Sequence, residues 1–430
     1  MTQTGAGGVL HLVWEFPPVI YGGLGRHAEE LTRAQHREGW SVTVVTAAED
    51  VTDPTRRVPI GRRLRRDVLV LRARRPLPRT PWTDLHGAAH ELDDAMALAA
   101  LTHLEELAAL GAPLPTVVHA HDWIGSRAAR TVAATIGARL VLTVHATEYG
   151  RRHGDVHPEV DHGVPAAVHA LERESVAAAA AVIVCSAAMR TVVCEIRGAD
   201  PQRVRVVPNA VDATAWRTGP AAIRAARRHW LPEESGLLIA AAGRIEWEKG
   251  FSTVLRALPD LHRAHPQLRF VLAGRGSYTP QLVELAADLG VTDLLALPGW
   301  LARRDLAALY AAADMVVVPS RYEPSGLVAR EAQAAGATVV ATRVGGLVET
   351  VQDGVTGVLM DVGDVHGLRD TITLLAAHPS RGRRMAQAGT AAVRSVTWAD
   401  VAAGTTAVYT EANPEPDAVV DLAEMVSIAP

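Results

Sequence analysis

At 430 residues, 48% of them hydrophobic and 21% charged, the chain can bury two cores of about 200 residues each and is not disordered as a whole. A formal net charge of -4 gives no global electrostatic case for nucleic acid. Cys185 and Cys194 form neither a disulfide framework nor a metal spacing, the N-terminus lacks a basic leader, and no apolar run approaches ~18 residues. The expectation is a soluble, cytoplasmic protein without a membrane span.

Short apolar, β-branched runs alternate with longer alanine- and leucine-rich stretches, which predicts strand–helix–strand units around parallel sheets, an α/β fold. In the first half strands are expected at 9–14, 41–46, 68–71, 117–120, 140–144, 182–185 and 204–207, with helices between them, notably at 24–38 and 85–110. In the second half strands are expected at 237–241, 269–273, 295–297, 315–319, 338–341 and 357–360, with helices starting near Ser252, Thr279, Arg304, Ser325 and Asp364. The alternation runs twice and breaks at 208–220, where Pro208, Asn209, Gly219 and Pro220 punctuate it. The expected domains are 1–208 and 209–395, then a helix at 396–412 returning to the first domain and a disordered tail at 413–430.

Residues 56–79 carry ten arginines. They read as a solvated loop and strand, with a basic surface for anionic lipid or a phosphorylated acceptor as the alternative. Among 43 basic residues Lys249 is the one lysine, and asparagine occurs only at 209 and 413. In a chain where lysine has been so widely replaced, Lys249 draws notice, and Asn209 does for the same reason.

Three segments carry chemistry. The first, PPVIYGGLGR at 17–26, follows the first strand and opens the first helix. Its Gly22, Gly23 and Gly25 let backbone N–H groups approach a ligand, although a purely structural turn reads equally well. In the second, GRIEWEKG at 243–250, Arg244 and Lys249 sit beyond a strand's carboxyl end. Open α/β sheets bind ligands there, and a fork plus a point charge suits a diphosphate. In the third, RYEPSGLVARE at 321–331, Pro324, Ser325 and Gly326 bend the chain into a helix whose free N–H groups can face phosphate. Glu323 lies in the approach and Glu331 about two turns into the helix; the bland alternative is two solvated glutamates on one amphipathic helix.

These segments, with VHAHDW, TVHATEYGR, VPNAVD and VGGLVETVQDGVTG, resemble in order over 9–361 the retaining GT-B glycosyltransferases of family 4, glycogen-synthase-like actinobacterial α-glucosyltransferases above all. The resemblance implies two Rossmann-like domains facing across a cleft and C-terminal helices crossing back. It implies that Arg244 and Lys249 hold the donor diphosphate and Glu331 the ribose hydroxyls. Glu323 would hold the sugar hydroxyls, and Gly23 with the backbone of Gly326, Leu327 and Val328 would line the phosphate site. His145 would sit beside the transferring sugar's outer hydroxyl. The chain departs from starch- and glycogen-synthase relatives at Ile20, where they carry a lysine, and at Ser325, where an aromatic or cysteine is frequent.

His119 and His121, alternating on one strand beside Asp122, invite a metal reading. No third ligand is identifiable in sequence, so a strand end shaping the site near the acceptor is preferred. The implied activity is α-glucosyl transfer from a nucleotide-diphosphate-sugar co-substrate, with no further cofactor and no metal. The acceptor is a carbohydrate, a glycolipid or a small natural product. A pseudoglycosyltransferase joining a sugar or cyclitol to an aminocyclitol, a sugar-nucleotide epimerase and a non-catalytic nucleotide-sugar sensor stay open, as do peripheral membrane contact and the oligomeric state.

Overall fold

The computed structural model describes residues 7–48, 61–65, 67–75, 85–152, 164–231 and 236–411. The expected tail at 413–430 and parts of the arginine-rich segment lie outside these. The chain divides into two units, 1–208 with 398–430, and 209–397.

The first unit holds an eight-stranded sheet of β1 (Gly8–Leu12), β2 (Ser41–Ala47), β3 (Gly61–Arg65), β4 (Val68–Ala73), β5 (Val117–His121), β6 (Arg139–Val144), β7 (Ala181–Val184) and β8 (Val204–Val206). Their order is β3-β4-β2-β1-β5-β6-β7-β8. All pairs are parallel except β3 with β4. The chain starts in the middle, builds outward to one edge, then returns to the other side of β1, so a topological switch point lies between β1 and β5. Their register sets His11 beside His119. The central strands are buried along nearly their whole length, as a parallel sheet with helices on both faces requires. The C-terminal helix Trp398–Thr410 belongs to this unit and packs on the first helix, Gly23–Arg37.

Strand β3 is the element the hydrophobic pattern does not predict. GRRLR carries one apolar residue, Leu64, and that residue is exposed. As an antiparallel edge strand it is held by backbone pairing, and its arginines discourage further strand addition. The solvated reading of this segment holds for Arg62 and Arg63, which are exposed on β3, but not for every arginine described. Arg72 and Arg75 are buried, Arg72 donating to the carbonyls of Ala47 and Pro17 and Arg75 pairing with Glu91. Arg62 meets Glu106 and Arg65 meets Glu29, so much of the local charge is internally satisfied.

The second unit holds a six-stranded, all-parallel sheet of β9 (Leu237–Ala242), β10 (Leu268–Ala273), β11 (Leu295–Gly299), β12 (Met315–Val318), β13 (Val339–Thr342) and β14 (Val358–Met360). The order β11-β10-β9-β12-β13-β14 places its switch point between β9 and β12. Alternate residues feed two separate cores: Leu238, Ala240, Val316 and Val339 on one face, Leu237, Ile239, Met315 and Val340 on the other. The period-two alternation of strand side chains explains why these runs read as continuously apolar. One expected boundary moves. The helix after β12 is Leu327–Ala334, capped by Gly326 at φ 71°, so Ser325 precedes it and Glu331 lies one turn in rather than two.

Candidate active site

In the second unit the GRIEWEKG and RYEPSG segments leave β9 and β12, the two strands that flank the switch point. They are stitched together by backbone. The amides of Arg321 and Tyr322 donate to the Glu248 carbonyl at 2.7 and 3.2 Å. Gly250, at φ 67°, lies so close that an added Cβ would stand 2.0 Å from the Pro319 carbonyl oxygen. On this frame Lys249 Nζ donates to Glu323 Oε2 at 2.8 Å, and the Gly326 amide reaches Glu323 Oε1 at 3.3 Å. Arg244 pairs with Glu248 at 3.2 Å while keeping 41% of its side chain exposed. Asn209 Nδ2 donates to Ser325 Oγ at 2.7 Å, which gives the scarce asparagine a task in fixing the bend. Glu323 and Glu331 are only 7% and 8% exposed, so the solvated-helix alternative fails.

In the first unit the YGGLG turn closes over a carboxylate that sequence reasoning missed. Glu15, 3% exposed, accepts the amide of Tyr21 at 2.5 Å and that of Gly25 at 3.0 Å. Gly23 is exposed and Gly22 partly so, whereas Gly25 is buried with its N–H committed to Glu15. Of the three glycines expected to face a ligand, Gly25 is therefore engaged internally.

The histidines converge. His11 on β1 and His119 and His121 on β5 are fully buried, and His145 follows directly on β6. His11 Nδ1 lies 3.0 Å from His121 Nε2, and His121 Nδ1 lies 3.1 Å from His145 Nε2. The third partner absent from the sequence reading thus exists, since His11, His119 and His121 bring ligand atoms within 4.8 Å of one another, as do His27, His121 and His145. Burial pushes His11 and His145 down to about 3 and holds His119 and His121 well below the usual imidazole range, so all four are neutral. Asp122, at φ 57°, turns its carboxylate to the amides of His145 (2.6 Å) and Ala146 (3.3 Å).

Comparison with known proteins accords with this geometry. The family description Glycosyltransferase Family 4 matches residues 21–215, and Glycosyl transferases group 1 matches 223–392. Glycogen synthase of Mycobacterium tuberculosis is 35% identical over 403 residues, covering 93% of this chain and 94% of that protein. The chain belongs to the family 4 glycosyltransferases. A D-inositol 3-phosphate glycosyltransferase of Xylanimonas cellulosilytica is 36% identical over 309 residues, 69% of this chain and 72% of that one. Among solved structures, sucrose-phosphate synthase of Thermosynechococcus elongatus superposes with a TM-score of 0.77 at 22% identity, covering 94% of this chain and 98% of that one. That likeness shows the fold, GT-B.

Several residues of this glycosyltransferase's sites carry no signal in sequence. Glu15 is linked to the glycine turn only by folding, and Tyr409 reaches His119 across 290 positions. Burial raises the Asp122 carboxyl to about 6, against the pull of Arg151 and the two amides. Burial likewise raises Glu172 to about 7, although Arg197 pairs with it; Glu172 accepts the Glu148 amide at 2.8 Å, steadying the turn after His145. No helix among the described residues is long and apolar enough to cross a membrane.

Proposed function

We propose that this glycosyltransferase moves an α-glucosyl unit from a nucleoside-diphosphate sugar to an acceptor hydroxyl with retention of configuration and without a divalent metal. The observation that carries the reading is the gathering of Arg244, Lys249, Glu323 and the Gly326 helix terminus on the two loops at the β9/β12 switch point. The two cations and the helix-terminal amides of Leu327 and Val328 meet the diphosphate and supply the positive charge that a divalent ion would otherwise bring. That charge counts most as the phosphate departs. Glu331 takes the ribose hydroxyls. Glu323 exchanges part of its Lys249 bond for the sugar hydroxyls, and His145 takes the outer hydroxyl. The bond from the anomeric carbon to phosphate breaks as the bond to the acceptor oxygen forms on the same face, and the acceptor proton passes to the departing phosphate oxygen.

The similarity to glycogen synthase supports a glucosyl donor and an α-glucan acceptor. A cyclitol acceptor is the second reading, favoured by the similarity to inositol phosphate glycosyltransferases. UDP-glucose and ADP-glucose, offered with malto-oligosaccharide or inositol 3-phosphate in the presence of EDTA, test both. An α-linked product identified by its anomeric proton coupling is expected. Glu331→Ala should raise the donor KM, because ribose contacts persist from ground to transition state, and Glu323→Ala should lower kcat. A β-linked product, activity lost with chelator, or release of an epimerised nucleotide sugar without acceptor would each refute the reading.

A further inference from the structure

Gln35 stands at the root of two hydrogen-bonded arms. Its carbonyl oxygen faces His11 Nε2 at 2.8 Å, and its NH2 faces the Tyr409 hydroxyl at 3.0 Å. Along one arm follow the His11–His121 and His121–His145 contacts at 3.0 and 3.1 Å. Along the other, Tyr409 lies 2.6 Å from His119 Nδ1, and His119 Nε2 lies 2.7 Å from Thr143 Oγ1. The successive rings His11, His121 and His145 are tilted by only 23° and 20°, with centroids 5.3 and 5.4 Å apart. These separations exceed the N···N distances by about one ring width, so the imidazoles meet edge to edge, each nitrogen aimed at the next.

A neutral imidazole carries one N–H and one lone pair, and burial keeps every ring here neutral. The Gln35 oxygen can only accept, so His11 Nε2 carries its proton and His11 Nδ1 accepts from His121 Nε2–H. His121 Nδ1 in turn accepts from His145 Nε2–H. On the other arm Tyr409 accepts from the Gln35 amide and donates to His119 Nδ1, leaving His119 Nε2–H to donate to Thr143. With the Gln35 amide oriented as it is, one assignment serves every contact on both arms, whereas turning the amide over would reverse every proton on both.

We infer that Gln35, His11 and His121 are positioning residues that fix the tautomer of His145, holding its proton on Nε2 and its lone pair on Nδ1. The catalytic consequence rests on the proposed contact of His145 with the transferring sugar. A hydroxyl meeting a ring nitrogen of wrong polarity loses its hydrogen bond, so tautomer control decides whether His145 accepts or donates there.

Two-bond 1H–15N correlation spectra of 15N-histidine-labelled protein distinguish the tautomers directly. Wild type should show His145 as a single Nε2–H form. Gln35→Leu and His11→Phe should each give a mixture at His145 and lower kcat by about tenfold, with the donor KM within about twofold. Gln35→Glu, which keeps an acceptor oxygen facing His11, should restore the single form and most of kcat. Should Gln35→Leu not fold, Tyr409→Phe keeps the ring but releases the amide's NH2, and should also produce a mixture. Unchanged His145 shifts in all these variants would overturn the inference. So would stoichiometric zinc in the purified protein whose chelation abolishes the pattern, because the imidazoles would then be ligands. A mixture at unchanged kcat would uphold the tautomer chain and refute the sugar contact of His145.

Discussion

Lys249 and Glu323 form an ion pair at 2.8 Å, with side chains only 16% and 10% exposed, so the chain's one lysine is already held by the carboxylate proposed to meet the sugar. Removing either partner leaves a nearly buried charge uncompensated, while removing both charges does not. Without ligand, Lys249→Met should lose about 2 kcal/mol, and Glu323→Gln added to it should recover part of that loss. Thermal melts of Lys249→Met, Glu323→Gln and the double variant measure this. A double variant melting below both singles would show that the two residues do not act as a pair.

With donor present the same lysine meets growing negative charge. Lys249→Ala should therefore lower kcat/KM by about a hundredfold, and Lys249→Arg should recover only part, because a planar fork does not replace a point charge. Initial rates at varied donor concentration decide it, and an intact specificity constant would remove Lys249 from the diphosphate site.

Gly250 and Gly39 both have left-handed backbone, at φ 67° and 93°, but differ in surroundings. A Cβ at Gly39 meets nothing within 4 Å, whereas one at Gly250 strikes the Pro319 carbonyl. Gly39→Ala should cost only the backbone strain, about 1 kcal/mol. Gly250→Ala should cost clearly more and should raise the donor KM, because it parts the loops that carry Lys249 and Glu323. Equal denaturation midpoints for the two variants would contradict the close approach.

The Asp122 carboxyl, raised from 3.8 to about 6, binds its proton more tightly in the folded state. Its contribution to stability is therefore largest below pH 4, declines as pH rises to about 6, and stays low above that. Asp122→Asn keeps an acceptor for the His145 and Ala146 amides, tolerates the positive φ, and removes the buried charge. The variant should be more stable than wild type at pH 7.5, by on the order of 2 kcal/mol, with the advantage gone by pH 4. Urea titrations across that range check the sign, and an advantage that grew on acidification would overturn it.

Glu15→Ala should orphan the Tyr21 and Gly25 amides and cost about 2 kcal/mol, while Glu15→Gln, which retains an acceptor, should cost less. Hydrogen exchange at those two amides reports the difference, and unchanged protection in Glu15→Ala would refute the anchoring role.

The strands of the second unit were legible because each carries a compact apolar run, β-branched in all but β11. Strand β3 was not, since backbone pairing rather than side-chain burial holds GRRLR in place. At the helix after β12, Pro324 and Ser325 advertise a helix start, yet the left-handed Gly326 delays it to Leu327. Glu323 and Glu331 stood out through their spacing and the resemblance. Glu15, Gln35 and Tyr409 did not, because their partners come from other elements and no local pattern marks a residue whose task is to receive a distant hydrogen bond. His119 and His121 could be noticed as a pair, but only the parallel register beside β1 supplies His11.

The RYEPSG loop is clasped from a second side. A Cβ at Gly345 would stand 2.2 Å from the Glu323 carbonyl oxygen and one at Gly346 2.5 Å from that of Pro324, and the Gly346 amide donates to Glu323 O at 2.8 Å. Main chain thus grips main chain around the loop, independently of the side chains it displays. This separates scaffold from specificity for an engineer and for natural divergence alike. Gly250, Gly345 and Gly346 are therefore the positions that a mutant library should leave untouched.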